Sequence, residues 1–94
     1  MRTASKTVRV PLGRTLATPG VLEATTQAER NIAFNRHSRG DWGDVVGEDW
    51  TANDQALQNG ERLISVYHTL SGIKFWIITE ADRSATTVLL PREY

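Results

Sequence analysis

The chain has no cysteine. That excludes a disulfide framework, a thiolate metal site and a thiol nucleophile, and it suits a folded protein of the cytosol. No apolar run approaches the roughly 18–20 residues that a membrane span needs. The opening, Met1-Arg2-Thr3-Ala4-Ser5-Lys6, lacks the apolar stretch of a signal peptide. Charge of one sign is not in excess either: 11 basic and 11 acidic residues cancel. The balance argues against wholesale nucleic-acid binding and against a strongly acidic nucleic-acid mimic. Phosphate-cradling glycine loops, nucleophile elbows and zinc-finger spacings are also missing.

What remains is enough for one domain of 94 residues with a thin core. Residues 1–6 are expected to be a flexible lead. The cancelling charges are segregated. Between Arg2 and Arg14 they are all basic (Arg2, Lys6, Arg9, Arg14), and from Gly40 to Glu61 they are all acidic. Such separation can steer a charged partner even in a neutral protein.

Thr7-Val8-Arg9-Val10-Pro11-Leu12 alternates and predicts a half-buried strand, at an edge because Pro11 cannot donate to a ladder. Thr18-Pro19 starts a short helical turn through Ala24. Thr26 and Glu29 form a capping box, opening a helix expected to bury Ala28, Ile32 and Ala33 and to stop at Gly40. A second helix begins at Gly47-Glu48-Asp49, buries Trp50, Asn53, Ala56 and Leu57, and ends at Asn59-Gly60. Arg62–Leu70 and Ile73–Glu80 read as strands of a two-residue Ser71-Gly72 hairpin, pairing His68 with Phe75 and Val66 with Ile77. Ala85–Pro91 returns as a third strand, with Val88 beside Ile77. The sum is an α+β fold in β-α-α-β-β-β order: a small antiparallel sheet with helices on one face. Its other face, with Tyr67, Trp76, Ile78 and Leu89, would be either an interaction or dimerisation surface or a bed for the N-terminal arm.

The densest stretch in chemistry is Arg36-His37-Ser38-Arg39-Gly40-Asp41-Trp42-Gly43-Asp44, continuing to Glu48-Asp49-Trp50. His37, Asp41, Asp44 and Glu48 could make a hard-cation or hydrolase site, although their spacing matches no established ligand motif. The alternative is structural, with turn-forming aspartates and acids serving a helix dipole. Trp42, flanked by glycines, is a candidate recognition anchor, whereas Trp50 has core periodicity behind it. His68 is expected among core residues, or else meeting His37 where the helices cross the sheet. Arg83, in the turn after Glu80, is expected to fork onto Glu80 or Asp44, or to bind a partner's anionic group.

Several stretches together resemble a family of small bacterial proteins described as plasmid-related or hypothetical. They are Leu12-Gly13-Arg14, Ala17-Thr18-Pro19-Gly20-Val21-Leu22-Glu23-Ala24, Arg36-His37, Gly40-Asp41-Trp42-Gly43-Asp44, Glu48-Asp49, Asn53, and Trp76 through Ser84 with Thr86 to Pro91. The resemblance implies carriage on plasmids, phages or integrated islands and names no reaction.

Three functional expectations follow. The first is a non-catalytic interaction protein that docks a host or phage protein through Asp41, Trp42, Asp44, Glu48, Asp49 and Arg83. A counter-defence inhibitor such as an anti-CRISPR would be one such protein, and no cofactor is expected. The second is a metal-dependent nuclease or hydrolase on His37 and the nearby carboxylates. The third is a nucleic-acid accessory protein using Arg2, Lys6, Arg9 and Arg14.

Overall fold

A computed structural model describes residues 9–94. The flexible lead expected at 1–6, the basic residues Arg2 and Lys6, and the start of the strand expected at Thr7 lie outside the described residues. The fold is α+β. Strand β1 (Arg14–Ala17) is followed by helices α1 (Pro19–Ala24), α2 (Gln27–Ser38) and α3 (Gly47–Asn59). Strands β2 (Leu63–His68), β3 (Lys74–Thr79) and β4 (Ala85–Leu89) come next, and a 3-10 turn closes at Pro91–Glu93.

The sheet runs β1-β4-β3-β2. The three later strands are antiparallel as expected, but β1 pairs parallel with β4, so the sheet is mixed. The expected first strand is also displaced. Residues 9–13 are not a strand, and pairing starts at Arg14. The alternation of Val10 and Leu12 nevertheless has a cause, because Val10 is buried beside Trp42, Ala56 and Leu63, with Leu12 packed at the rim. Gly13 makes the crossing to β1. Its φ is +63°, and a Cβ there would sit 2.3 Å from the Ser84 carbonyl oxygen.

The β2–β3 hairpin corrects the sequence reading by one residue. Tyr67 pairs with Phe75, Ser65 with Ile77 and Leu63 with Thr79. Thr69 N–H donates to the Ile73 carbonyl, so the loop is Leu70-Ser71-Gly72, three residues, with Gly72 at φ +91°. A slip of one residue exchanges the two sides of a strand. The inner face therefore carries Leu63, Ser65 and Tyr67, and Ile64, Val66 and His68 turn outward. The β3–β4 register puts Val88 beside Ile77, as read from the sequence.

Local signals in the helices hold. Thr26 and Glu29 form the capping box, Gly40 is left-handed at φ +78°, and Gly60 stops α3 at φ +70°. The face that α2 buries differs from the expected one. Ala33 and His37 point inward, while Ala28 and Ile32 are exposed. In α3 the expected stripe is observed, with Asn53 and Ala56 buried and Trp50 and Leu57 packed against the core.

The main core joins Val21, Ala33, Tyr67, Phe75, Ile77, Val88 and Leu90 on the inner face of the sheet. Glu93 locks the closing turn onto α1. Its carboxylate accepts from the Thr18 hydroxyl and from the N–H groups of Gly20 (2.8 Å) and Leu90 (3.0 Å). Those donors hold its carboxyl below the usual range, the Thr18 hydroxyl most of all.

Candidate functional site

The Gly40–Asp44 corner is pressed against the edge of β2. Val66 N–H donates to the Trp42 carbonyl (3.1 Å), and Asp44 N–H donates to the Val66 carbonyl (2.7 Å). Gly43 allows this approach. At φ +80°, a Cβ on it would lie 2.0 Å from the Val66 carbonyl oxygen and 2.7 Å from the Tyr67 ring. One rung earlier, the Asn53 side chain imitates a neighbouring strand. Its amide donates to the Ile64 carbonyl (2.7 Å), and its oxygen accepts from Ile64 N–H (3.2 Å). The edge of β2 is thus paired without another strand.

Asp41 organises the corner from within. Its carboxylate accepts two bonds from Arg36 (2.8 and 3.2 Å) and one from Gly43 N–H (3.1 Å). Its carbonyl accepts from the Tyr67 hydroxyl (2.6 Å). Burial works to raise the Asp41 pKa, but the Arg36 and Gly43 bonds outweigh it and hold the carboxyl below its ordinary range. Arg36 also lies over the Tyr67 ring, 4.9 Å from its centre.

His37, expected at a metal or catalytic centre, is completely buried. Its Nδ1 lies 2.6 Å from Ser65 Oγ and its Nε2 lies 2.8 Å from Thr79 Oγ1. Thr79 is 2.7 Å from Thr86, whose hydroxyl donates to the Leu12 carbonyl. The protons can be followed along this chain. A carbonyl only accepts, so the Thr86 proton is spent on Leu12, and Thr79 must donate to Thr86. Thr79 therefore accepts Nε2–H from His37, and Nδ1 accepts from Ser65. The ring is a neutral connector between α2 and two strand hydroxyls, with Thr86 joined through Thr79. Burial, with the charge of Arg83 adding to it, pushes the His37 pKa down to about 4.

Trp42 is likewise taken out of any surface. It is fully buried, stands edge-on to His37 at 5.5 Å, and donates its indole N–H to Asp54 (2.9 Å). Arg83 forks onto neither the Glu80 nor the Asp44 carboxylate. At φ +62° it donates instead to the carbonyls of Glu61 (2.6 Å) and Glu80 (3.2 Å), with Ala56 at 3.5 Å. It caps the end of α3, where a cation suits the unpaired carbonyls. His68 is not a core residue and does not meet His37. It is exposed on the outer side, with Nδ1 2.8 Å from the Asp44 carboxylate.

The metal set is therefore not assembled: His37 is sealed inside, Asp41 is bound to Arg36, and Asp44 is paired with His68. Among the described residues no group of three or more His, Cys, Asp or Glu is placed to hold an ion.

What the acidic segment does build is a wall. Asp44, Glu48 and Asp49 are all exposed, and Asp49 opens onto a groove of about 490 Å³ between α3 and the outer face of the sheet. Ile64, Val66 and Trp76 line its floor, and Glu61 lies at the far end. The floor belongs to two cross-strand rows, Ile64–Ile78–Thr87–Leu16 and Val66–Trp76–Leu89. Arg62 is the basic residue of the lining, and it is already occupied. It lies 3.8 Å from the Glu80 carboxylate, donates to the Tyr94 hydroxyl (2.7 Å) and covers the Tyr94 ring. Tyr94 in turn meets Trp76 edge-on at 5.7 Å. The described part of the N-terminal arm does not cover this face, because residues 9–13 run along the inner side, where Leu12 reaches Thr86.

Sequence reasoning did not single out Ser65, Thr79 or Asn53 as working side chains. Their partners lie 28, 42 and 11 residues away, and no local spacing reports such pairs. No protein-family model, curated protein or solved structure matches the chain.

Proposed function

We propose that this chain is a non-catalytic interaction protein that docks another protein through the groove between α3 and the outer sheet face. One observation carries the reading: an apolar floor of Ile64, Val66 and Trp76 lies between acidic residues Asp49 and Glu61, with Glu48 and Asp44 exposed nearby. The complementary partner presents an apolar side chain flanked by Lys or Arg. The apolar contact supplies affinity, and the charges supply steering and discrimination. In the mobile-element setting that the sequence resemblance implies, the partner is a host or phage protein. The basic surface of a nucleic-acid-processing complex has the matching chemistry, and counter-defence is the corresponding role.

The hydrolase reading has no assembled constellation to support it, as His37, Asp41 and Asp44 are each committed to other bonds. For direct nucleic-acid binding, the described residues offer Arg9 and Arg14, both exposed, of the four N-terminal basic residues.

The test is affinity capture from a bacterial lysate with three baits: the wild type, Asp49→Lys and Trp76→Ala. A stoichiometric partner is expected with the wild type, at least about tenfold depleted with either variant, and weakened by salt. A partner retained equally by both variants would overturn the assignment of this surface.

A further inference from the structure

A second surface shares no lining residue with the α3 groove. Between α2 and the β2–β3 hairpin is a cleft of about 240 Å³, floored by Ala33, Tyr67 and Phe75. Two of its walls are costly to leave in water. Leu70, at the hairpin tip, is 102% exposed, and Ile32, in mid-helix, is 62% exposed. The position of Ile32 is a consequence of the inner face. Turning Ala33 and His37 inward to reach the sheet leaves the largest aliphatic side chain of α2 pointing out.

The charges beside this cleft have an order. Along one stripe of α2 stand Glu29, then Ile32 with Ala33, then Arg36, all lining the cleft. Residues i, i+3 or i+4, and i+7 share a helix face, and here they span about 10 Å. The stripe reads acid, apolar, base, and its midpoint falls between Ile32 and Ala33. Reversed end for end, it is its own complement. Heterologous partners do not demand that symmetry, but a two-fold axis does.

We propose that this cleft is the interface of a homodimer. Two copies pack α2 antiparallel, with Ile32 of each beside the axis and Glu29 facing the partner subunit's Arg36 twice over. Leu70 stands next to the cleft, so the same axis seats each Leu70 against the hollow of the other copy, where 240 Å³ accommodates a branched aliphatic side chain. Glu29 is pre-set for the role. It is fixed by the capping box and by a bond from Leu70 N–H (3.3 Å), and these backbone bonds, Thr26 first, hold its carboxyl below the ordinary range. Arg36 is fixed by Asp41 and the Tyr67 ring, with its side chain still 43% exposed.

Sedimentation equilibrium over a wide concentration range tests this. The wild type is expected to pass reversibly from monomer to dimer. Leu70→Glu and Ile32→Glu alter exposed side chains and leave the circular-dichroism melt of the monomer unchanged, while weakening the dimer by roughly tenfold or more. The charge order has its own test. Glu29→Arg and Arg36→Glu, each confirmed folded, are expected to be monomeric alone and to form a dimer when mixed, because each then faces opposite charge at both contacts. A wild type that stays monomeric to millimolar concentration overturns the proposal, and so does a dimer indifferent to both Leu70→Glu and Ile32→Glu. Should a charge variant fail to fold, those two substitutions decide the matter. Loss of the dimer leaves the α3 groove intact, so a partner captured there is retained by Leu70→Glu.

Discussion

The two faces of the sheet are divided less sharply than hydropathy alone would assign. The buried inner face holds the polar set, Ser65, Thr79 and Thr86 bonded through His37, among its apolar rows. The outer face carries Ile64, Val66 and Trp76, all half-buried, beside a buried Ile78. Polar residues can occupy the interior because each hydroxyl and both ring nitrogens find partners there, and a fully satisfied network specifies one arrangement of α2 on the sheet. Apolar residues on the outer face need no such partners, and Ile64, Val66 and Trp76 keep part of their surface open beside α3. The inner polar groups are spent inside the fold, and the half-buried outer apolar groups form the floor of the α3 groove.

The largest blow to this division is expected at Gly43, the point where the corner joins both faces. Gly43→Val places side-chain atoms against the Val66 carbonyl at a positive φ. It should cost on the order of 4 kcal/mol or prevent folding, as read by urea denaturation. Next is acid. The folded-state pKa of His37, about 4, lies below its unfolded value near 6.5, so the unfolded chain binds the proton more tightly. Stability is then full above about pH 6.5 and falls as pH drops toward 4, by about 3 kcal/mol at most. Thermal melts between pH 7 and 4 should show the slope, and His37→Gln in a His68→Gln background should flatten it. The smallest effect belongs to the outer side. Glu48→Lys should change stability by no more than about 0.5 kcal/mol, while weakening partner capture. A large change in the melt would mean that the acidic wall is structural after all.

Legibility in the sequence followed the range of the interaction. The capping box at Thr26 and Glu29, the stops at Gly40 and Gly60, and the α3 stripe are written within four or five residues, and they stand in the structure as read. The β2 register was not legible, because both alternations of Leu63–Leu70 are plausible interiors. Ile64 and Val66 are the more apolar pair, yet Ser65 is the residue that His37 requires. The same histidine explains the misread face of α2, since seating its ring between Ser65 and Thr79 turns Ile32 outward. Trp42 in a glycine turn resembled an exposed anchor. Only the packing of Val10, Ala56 and Leu63 around it shows a core residue. The exposure of Asp44, Glu48 and Asp49, on which the proposed site rests, was visible as an unbroken acidic run.

The parallel pairing of β1 with β4, together with the Glu93 bonds to Thr18 and Gly20, dictates the order of assembly. Arg14 must wait for Ala85, and Thr18 for a carboxylate 75 positions downstream. On the ribosome, the residues of α1 and α2 emerge before the strands that bury them, so their inward side chains stay wet until β3 and β4 follow. Loop closure over such separations slows the search. Until β3 and β4 are present, the side chains that α1 and α2 bury have no sheet to cover them, the stage at which chaperones or premature self-association would act.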